Sequence, residues 1–130
     1  MNGNLVDGFL AAIEGASIPH CEAFAENASM DATVPNWMLT VNGSDAIRAE
    51  LAQWYADRGT FEHLKRTPLP GGELVEFTLC WEEAGVPHAV HQIHVLDVGP
   101  DGISSDKVWC GGRWPASLLA EMAEAANGHG

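Results

Sequence analysis

Four consecutive strand-like segments limit the fold of this 130-residue chain more than any other feature of its sequence. In each of them, apolar and polar side chains alternate with the period of two that is typical of a β-strand. The four segments are Thr60–Thr67, Glu73–Glu82, Pro87–Val98 and Ile103–Cys110. Short turns that contain glycine separate them, at residues 70–72, 84–85 and 99–102. Because turns this short join antiparallel strands, the second half of the chain predicts an antiparallel meander.

The first part of the chain has a mixed pattern. A first helix is predicted from apolar residues at helical spacing ahead of Gly15. These residues are Leu5, Val6, Phe9, Leu10 and Ile13. A short second helix is predicted from Pro19 through Ala25. Residues 28–34 are then predicted to form a strand, which ends in a turn at Pro35 and Asn36.

Two further helices are predicted on either side of the meander. Ser44 is a candidate N-cap for a helix that ends at Gly59. Its apolar face consists of Ile47, Leu51, Trp54 and Tyr55. A last amphipathic helix begins at Pro115 and carries Leu118, Leu119 and Met122, and residues 127–130 are expected to fray. Helices beside one long sheet predict the α+β class.

The length and the charge of the chain narrow its partners. A chain of this size has one core, so we assign residues 1–130 to a single domain. Eighteen Asp and Glu residues against six Lys and Arg residues give a formal charge of -12. Such a surface repels phosphate groups, which argues against nucleic-acid and membrane partners. Since the first residues lack a basic signal segment and no apolar run is long enough for a membrane helix, we expect a cytoplasmic protein.

The potential metal ligands are scattered. The three cysteines are Cys21, Cys80 and Cys110. Their odd number and long spacings predict free, buried thiols. His88, His91 and His94 share one predicted strand, where the middle residue faces away from the other two and the outer two lie about 20 Å apart. We therefore predict no metal site and no cofactor.

Turn geometry predicts the register of the last two strands. A three-residue hairpin loop at residues 100–102 sets Leu96 opposite Asp106 and His94 opposite Val108. His94 and Asp106 then share one face and lie on a diagonal of about 7–8 Å, so a histidine and a carboxylate nearly meet.

A two-residue turn at residues 84–85 extends this face to the strand before. It sets Phe77 opposite Gln92 and Leu79 opposite Val90. The side chains predicted to face inward together are Phe77, Leu79, Trp81, Val90, Gln92, His94 and Leu96. Apolar groups around a few polar ones are typical of a small-molecule pocket. A slip of one residue would instead point His91 and Lys107 inward.

Three titratable residues are candidate acid/base groups. The imidazole of His94 can pass protons near neutral pH, and a carboxylate beside it would fix its tautomer. Asp106 is that carboxylate in the predicted register, and Asp31 on the first strand is the third candidate. We also expect Trp37 at the mouth of the pocket and Val108 in contact with a ligand.

The order of the elements and three short segments resemble the nuclear transport factor 2-like superfamily, which includes ketosteroid isomerases and SnoaL-like polyketide cyclases. The segments are Phe24–Ala28, Gly43–Ile47 and Asp101–Ile103. The resemblance implies a cone, in which a strongly curved antiparallel sheet surrounds a deep apolar pocket that the amino-terminal helices close. It also implies that His94 stands where ketosteroid isomerases have an oxyanion-hole aspartate. It further implies that Ala32 stands near the place of their general base, and Phe9 or its neighbour near that of their catalytic tyrosine, so we do not expect a ketosteroid isomerase.

These observations predict a cofactor-independent enzyme of the SnoaL-like type. It would use acid/base proton transfer to isomerise, cyclise, dehydrate or hydrate a small hydrophobic substrate, such as a polyketide, a terpenoid or a steroid-like molecule. The alternative is a non-catalytic ligand-binding or dimerisation module of the same fold, which needs the cavity but no acid or base.

The outer sheet face predicts a homodimer. Its side chains are Thr78, Cys80, His91, Ile93, Val95 and Trp109. Three of these are large and apolar, and leaving them in water is costly. A two-fold dimer covers such a face with one repeated patch.

Overall fold

The computed structural model describes the backbone of residues 2–128 and the side chains of residues 5–128. Within this range, helices lie before the strands, between β2 and β3, and after the last strand. The elements in chain order are α1 (Asn2–Gly15), a 3-10 helix (Ile18–His20), β1 (Phe24–Val34), β2 (Trp37–Asn42), α2 (Ser44–Trp54), β3 (Gly59–Leu69), β4 (Gly72–Glu83), β5 (Val86–Gly99), β6 (Gly102–Pro115) and α3 (Ala116–Gly128). This content confirms the predicted α+β class. None of the described helices is long and apolar enough to cross a membrane.

All six strands form one sheet, in the order β2, β1, β6, β5, β4, β3. The strands β3 to β6 pair antiparallel with their neighbours, as the predicted meander requires. The sheet is nevertheless mixed, because β1 lies parallel to β6. Short turns specify only neighbouring strands, and this long-range pair therefore left no signal in the sequence pattern. The hairpin partner of β1 is β2, a strand that the sequence analysis did not identify.

The register of β4, β5 and β6 is the predicted one. Phe77 lies opposite Gln92, and Leu96 lies opposite Asp106. The alternative register, with His91 facing inward, is excluded. One sheet face therefore collects the side chains that the turns predicted to lie together.

The turn between β5 and β6 reaches this register by a different route from the predicted one. Its loop has two residues, Pro100 and Asp101, rather than three. A bulge at Ser104 adds the missing residue, so the strands fall into the expected alignment below it. Gly102 has a φ of 131°, and a Cβ atom there would lie 2.6 Å from the carbonyl oxygen of Ala23. Only glycine fits at this position.

Two predicted boundaries in the first half are wrong. The helix expected from Pro19 through Ala25 is a 3-10 helix of three residues, and β1 begins at Phe24 instead of Ala28. A short apolar run fits a buried strand as well as a helix, which explains the error. The predicted frayed tail is helical through Gly128, and residues 129–130 lie outside the described residues.

The helix α2 is also shorter than predicted. Gly43, with a φ of 94°, is its N-cap residue in place of the predicted Ser44. Its last residue is Trp54, so Tyr55 lies in the loop that follows. The Tyr55 side chain is buried in the core, where it is 3% exposed.

The core lies on the inner face of the sheet. Phe9 and Ile13 of α1 and Ile47 and Leu51 of α2 are fully buried there. The helix α3, in contrast, has no buried side chain among its described residues. Its Leu119 borders a surface groove together with Cys80 of the outer face. The outer face is therefore covered at one end only.

Candidate functional site

Four polar side chains interrupt the apolar core on the inner face. They are Tyr55, Gln92, His94 and Asp106, and none is more than 3% exposed. The neighbouring strands β5 and β6 supply three of them, and the loop after α2 supplies Tyr55. Within the described part of the chain, no buried side-chain nitrogen or oxygen lacks a hydrogen-bond partner. A satisfied polar network in a core rigidifies the groups that form it.

The pair formed by His94 and Asp106 anchors the cluster. Nδ1 of His94 lies 2.9 Å and 3.0 Å from the two carboxylate oxygens of Asp106. An ionised carboxylate only accepts, so the hydrogen is on Nδ1 and the imidazole gains or loses a proton at Nε2 alone. The ring of Phe77 stacks on the imidazole and that of Phe9 meets its edge, both with centroids 5.5 Å away. These contacts fix the orientation of the imidazole ring.

The other side of the imidazole faces a tyrosine and an amide. Nε2 of His94 lies 3.2 Å from Oη of Tyr55 and 3.2 Å from Oε1 of Gln92. The Tyr55 hydroxyl also reaches Oε1 of Gln92 as a donor. A neutral imidazole accepts the Tyr55 hydrogen, whereas a charged one donates to Gln92. Both protonation states of His94 therefore have partners, as a proton-transferring group requires.

Tyr55 is a neutral donor in this cluster. Burial raises the pKa of its hydroxyl well above the usual value, and the negative charge of Asp106 raises it further. Tyr55 therefore keeps its proton at neutral pH. The sequence analysis assigned this residue to the apolar face of a helix and missed its role. Two facts could have indicated it: Tyr55 is the single tyrosine of the chain, and a buried tyrosine usually needs a partner for its hydroxyl.

A cleft of about 320 Å³ connects the cluster to the surface. Tyr55 and Gln92 line this cleft, whereas His94 and Asp106 lie behind them. The other lining residues are Val34, Pro35, Glu50, Gln53, Trp54, Trp81, Val90, Cys110, Gly112 and Arg113. Three larger surface grooves, of about 490, 490 and 520 Å³, contain none of the four polar residues. The smaller cleft is therefore the candidate site.

Two tryptophans line the cleft, and a carboxylate holds each indole. Nε1 of Trp54 donates to Glu50 and Nε1 of Trp81 donates to Glu83, both over 2.9 Å. Glu83 also forms an ion pair with Arg113. The guanidinium carbon of Arg113 lies 5.2 Å from the centre of the Trp81 ring. Both aromatic walls of the cleft are thus fixed in orientation.

A β-bulge shapes the same end of the sheet. Val90 lies opposite Arg113 and Gln92 lies opposite Cys110, so β6 has one extra residue in its Gly111 and Gly112 pair. Gly112 has a φ of 110°, which favours glycine. The extra residue changes the alternation of β6, and Arg113 consequently lines the cleft.

Solved structures share this architecture. An NTF2-like protein from Mesorhizobium loti superposes with a TM-score of 0.68 at 15% identity over 85% of this chain and 91% of that chain. A protein from Catenulispora acidiphila with a ketosteroid isomerase-like fold, solved in complex with trimethylamine, gives a TM-score of 0.64 at 20% identity over 92% of both chains. A protein from Bacillus subtilis, provisionally assigned as an isomerase, gives 0.69 at 16% identity over 85% and 86%. The chain has the nuclear transport factor 2-like fold.

This likeness confirms the predicted NTF2-like fold. No family model matches the sequence, and no curated protein matches it either. At 20% identity or below, the neighbours show the NTF2-like fold alone. The chemistry of the site therefore has to be argued from the residues of this chain.

Within the NTF2-like fold of this chain, the residues predicted to contact a ligand form two groups. Those that line the cleft are Trp81, Val90 and Gln92. Those that are buried in the core and do not line it are Phe77, Leu79, Leu96 and Val108. Side chains of α1 and α2 fill the interior against the second group. The expected deep pocket is thus reduced to a cleft at one end of the sheet.

Asp31 lies away from the site. Met30 and Ala32 occupy the inward positions of β1 and are buried. Asp31 therefore faces outward, where it accepts a hydrogen bond of 2.8 Å from Oγ1 of Thr40. The reason for the discrepancy is the alternation of β1, which the sequence left uncertain by one residue.

Trp37 does not line the cleft either. It lies on the edge strand β2 and is 71% exposed. Val34 and Pro35 of the same hairpin line the cleft in its place, and Trp54 of α2 supplies the aromatic wall. The position of Trp37 was predicted wrongly because the sequence analysis did not identify β2 as a strand.

The three cysteines are free, as predicted, but only Cys21 is fully buried. Burial raises the pKa of Cys21, and burial together with Glu62 raises the pKa of Cys80 to about 11. Sγ of Cys110 accepts a hydrogen bond of 3.3 Å from the Gln92 amide. Among residues 2–128, no group of three or more His, Cys, Asp or Glu side chains is placed to hold a metal ion.

Proposed function

We propose that this protein is a SnoaL-like enzyme that moves a proton on a small, largely apolar substrate bound in the cleft. The observation that supports this proposal is the buried row of Asp106, His94 and Tyr55, which ends at the cleft surface. The reaction class is isomerisation, cyclisation, dehydration or hydration, since each of these transfers protons without an external oxidant or reductant.

Tyr55 is the group that contacts the substrate in this proposal. Its hydroxyl donates to a substrate oxygen, in place of its bond to Gln92. When negative charge develops on that oxygen, a fixed donor in dry surroundings stabilises it, and one such donor contributes about 100- to 1,000-fold in rate. The raised pKa of Tyr55 keeps the hydroxyl protonated for this purpose.

His94 and Asp106 act through Tyr55. If Tyr55 transfers its proton to the substrate oxygen, the proton on Nε2 of a charged His94 replaces it. The carboxylate of Asp106 stabilises the charged imidazole before the transfer. In the reverse direction the proton returns to Nε2, so the pair is a proton store behind the donor.

The size of the cleft favours a small substrate. Its volume of about 320 Å³ lies at the lower end of the range for ligand pockets. Terpenoid-like or polyketide-like molecules of one or two rings fit this volume better than a complete steroid. The Catenulispora acidiphila neighbour was solved with a small amine, which supports ligand binding by this fold.

A second candidate function is a non-catalytic ligand-binding or dimerisation module. Phe9 and Ala32 favour it, because they stand near the places where ketosteroid isomerases have their catalytic groups and are both buried in the core. In that case the cleft binds a ligand and the buried row serves only to hold the sheet together.

We also propose that the protein pairs as a homodimer through its outer sheet face. Trp109 is 46% exposed there and lies beside Ile93 on the neighbouring strand. Thr33 joins Trp109 to Met38 of β2, which is 75% exposed. An apolar row of this kind across three strands and the edge strand is costly in water, and a second copy would cover it.

Deuterium exchange at a carbon next to a carbonyl tests the enzymatic proposal. Cyclohexanone and β-tetralone are incubated with the protein in deuterium oxide, and proton NMR measures the loss of signal from that carbon. We expect exchange faster than in buffer, and at least about 100-fold slower exchange with Tyr55→Phe. A ketone that binds, as shown by tryptophan fluorescence, without faster exchange would contradict the enzyme and favour the binding module.

A further inference from the structure

Removing a proton from carbon needs a base as well as a donor for the oxygen, and the row of Asp106, His94 and Tyr55 supplies only the donor. We propose that Glu50 is the catalytic base of the cleft. This inference rests on the proposed function, because it concerns the same site and the same proton transfer. Glu50 is the single carboxylate among the described residues that line the cleft.

The geometry of Glu50 suits a base. It lies on α2, four residues before Trp54, a spacing that brings two helical side chains together. Oε2 of Glu50 accepts the hydrogen bond of 2.9 Å from Nε1 of Trp54. Within residues 2–128, no donor contacts Oε1. One oxygen is therefore anchored, and the other is open to a proton from the substrate.

The charges around the cleft leave Glu50 uncompensated. Arg113 is the one cation among the described lining residues, and Glu83 holds it in an ion pair. No ion pair involves Glu50 within the described part of the chain. The Trp54 indole donates a hydrogen bond but carries no charge, so no cation among the described residues pairs with the Glu50 carboxylate.

The other polar groups of the cleft do not serve as bases. Tyr55 keeps its proton, and Gln53 and Gln92 are neutral amides. His94 is fully buried behind Tyr55 and Gln92, and it does not line the cleft. Cys110 accepts a hydrogen bond from the Gln92 amide. This comparison assigns the base to Glu50.

The proposed step is balanced without a further reactant. The bond between hydrogen and the carbon next to the substrate carbonyl breaks, and its electron pair forms the carbon–carbon double bond of an enolate. The proton forms a bond to Oε1 of Glu50, while the Tyr55 hydroxyl stabilises the enolate oxygen. Return of the proton to the same carbon completes the exchange, and in a substrate whose carbon–carbon double bond adjoins that carbon, return to the far end of the conjugated dienolate yields the isomer; both restore the carboxylate.

Substitution of Glu50 tests the inference with β-tetralone as the probe. Glu50→Gln keeps an oxygen acceptor for Trp54 but removes the base, so deuterium exchange should fall by about 100- to 10,000-fold. Binding of β-tetralone, measured by tryptophan fluorescence, should change by no more than about twofold. The matched control is Asp45→Asn, which removes the same charge from the exposed start of α2 and should exchange at the wild-type rate.

Chemical rescue distinguishes a base from a structural residue. Formate added to Glu50→Ala should restore part of the exchange, because it supplies a carboxylate in the vacated space. Formate should not restore exchange in Tyr55→Phe. A loss that formate does not rescue, or a Glu50→Gln variant as active as the wild type, would overturn the role of Glu50.

The outcome also separates this inference from the proposed function. If exchange by the wild type depends on Tyr55 but not on Glu50, the proposed enzymatic function stands and the role of Glu50 as its base is wrong. Wild-type exchange no faster than in buffer would overturn the proposed function, and the role of Glu50 with it.

Discussion

Two histidines of β5, three residues apart, lie on opposite faces of the sheet, and each has a carboxylate beside it. His94 on the inner face is fully buried, and its Nδ1 lies 2.9 Å from Asp106. His91 on the outer face has a side chain that is 38% exposed, and its Nε2 lies 3.6 Å from Glu76. The residue types are closely matched, whereas the surroundings differ.

The difference shows that the surroundings of a histidine–carboxylate pair, and not its residue types, determine whether its protonation affects neighbouring groups. Water and salt screen the outer pair, so the proton on His91 has little effect on its neighbours. In the core, the low dielectric couples the charge of His94 strongly to Asp106 and Tyr55. Only the inner pair can therefore pass a change of protonation on to a ligand in the cleft.

Removing the two carboxylates should give the largest contrast between the faces. Asp106→Ala leaves a buried imidazole without its partner and should lower the free energy of unfolding by about 3–5 kcal/mol. Glu76→Ala should lower it by less than about 1 kcal/mol, as for other exposed pairs. Urea unfolding followed by circular dichroism measures both. Equal losses would mean that burial does not distinguish the two pairs.

Removing the Tyr55 hydroxyl should have a smaller effect on stability. Tyr55→Phe takes a partner from both Gln92 and His94, and we expect a loss of about 1–3 kcal/mol in the free energy of unfolding. On the outer face, Thr78 lies 2.9 Å from Nδ1 of His91. Thr78→Val should cost less, because water replaces the lost partner. A Tyr55→Phe variant as stable as the wild type would show that the inner network is not tightly coupled.

Substitutions on the outer face should weaken dimerisation and not the stability of the single chain. Trp109→Glu and Val95→Glu place a charge on the outer sheet face and should weaken the proposed dimer by about tenfold or more. Light scattering across a dilution series measures the effect, with the exposed Ser104→Glu on the same strand as Trp109 as a control. A wild-type protein that is monomeric at micromolar concentration would contradict the dimer.

Alkaline pH should slightly lower the free energy of unfolding, because Tyr55 of the inner face loses its proton more readily in the unfolded chain. The folded pKa of Tyr55 is raised above the unfolded value of about 10, so its contribution is complete below that pH and is lost as the pH rises past it. At pH 10.5 the free energy of unfolding should be lower by about 0.8 kcal/mol for this reason. Comparison with Tyr55→Phe isolates it, since the cysteines are common to both proteins. The same alkaline loss in Tyr55→Phe would show that other groups cause it.

The sequence predicted the inner face well because local rules determine it. Alternation along β4, β5 and β6, together with the turn at Ala84 and Gly85, set the register that brings His94 to Asp106. Ala84 and Gly85 both have positive φ values, as the predicted two-residue turn requires. The β5–β6 register was right although its loop was not, because the bulge at Ser104 compensated.

The rest of the site depends on contacts that local patterns do not carry. The hydroxyl of Tyr55 finds its partners on a distant strand, Gln92 and His94 of β5, and no local pattern predicts such a contact. The parallel pairing of β1 with β6 joins distant parts of the chain. No sequence pattern distinguishes Glu50 from other acidic residues on a helix surface, because only the folded structure shows the cleft beside it.

In the proposed function, the inner histidine takes part in proton transfer and the outer one does not. Deuterium exchange of β-tetralone with His94→Gln and His91→Gln, measured side by side, tests it most directly. We predict a loss of at least about 100-fold for His94→Gln and a rate within about twofold of the wild type for His91→Gln. Equal rates in the two variants, with both proteins folded, would show that His94 has no part in proton transfer.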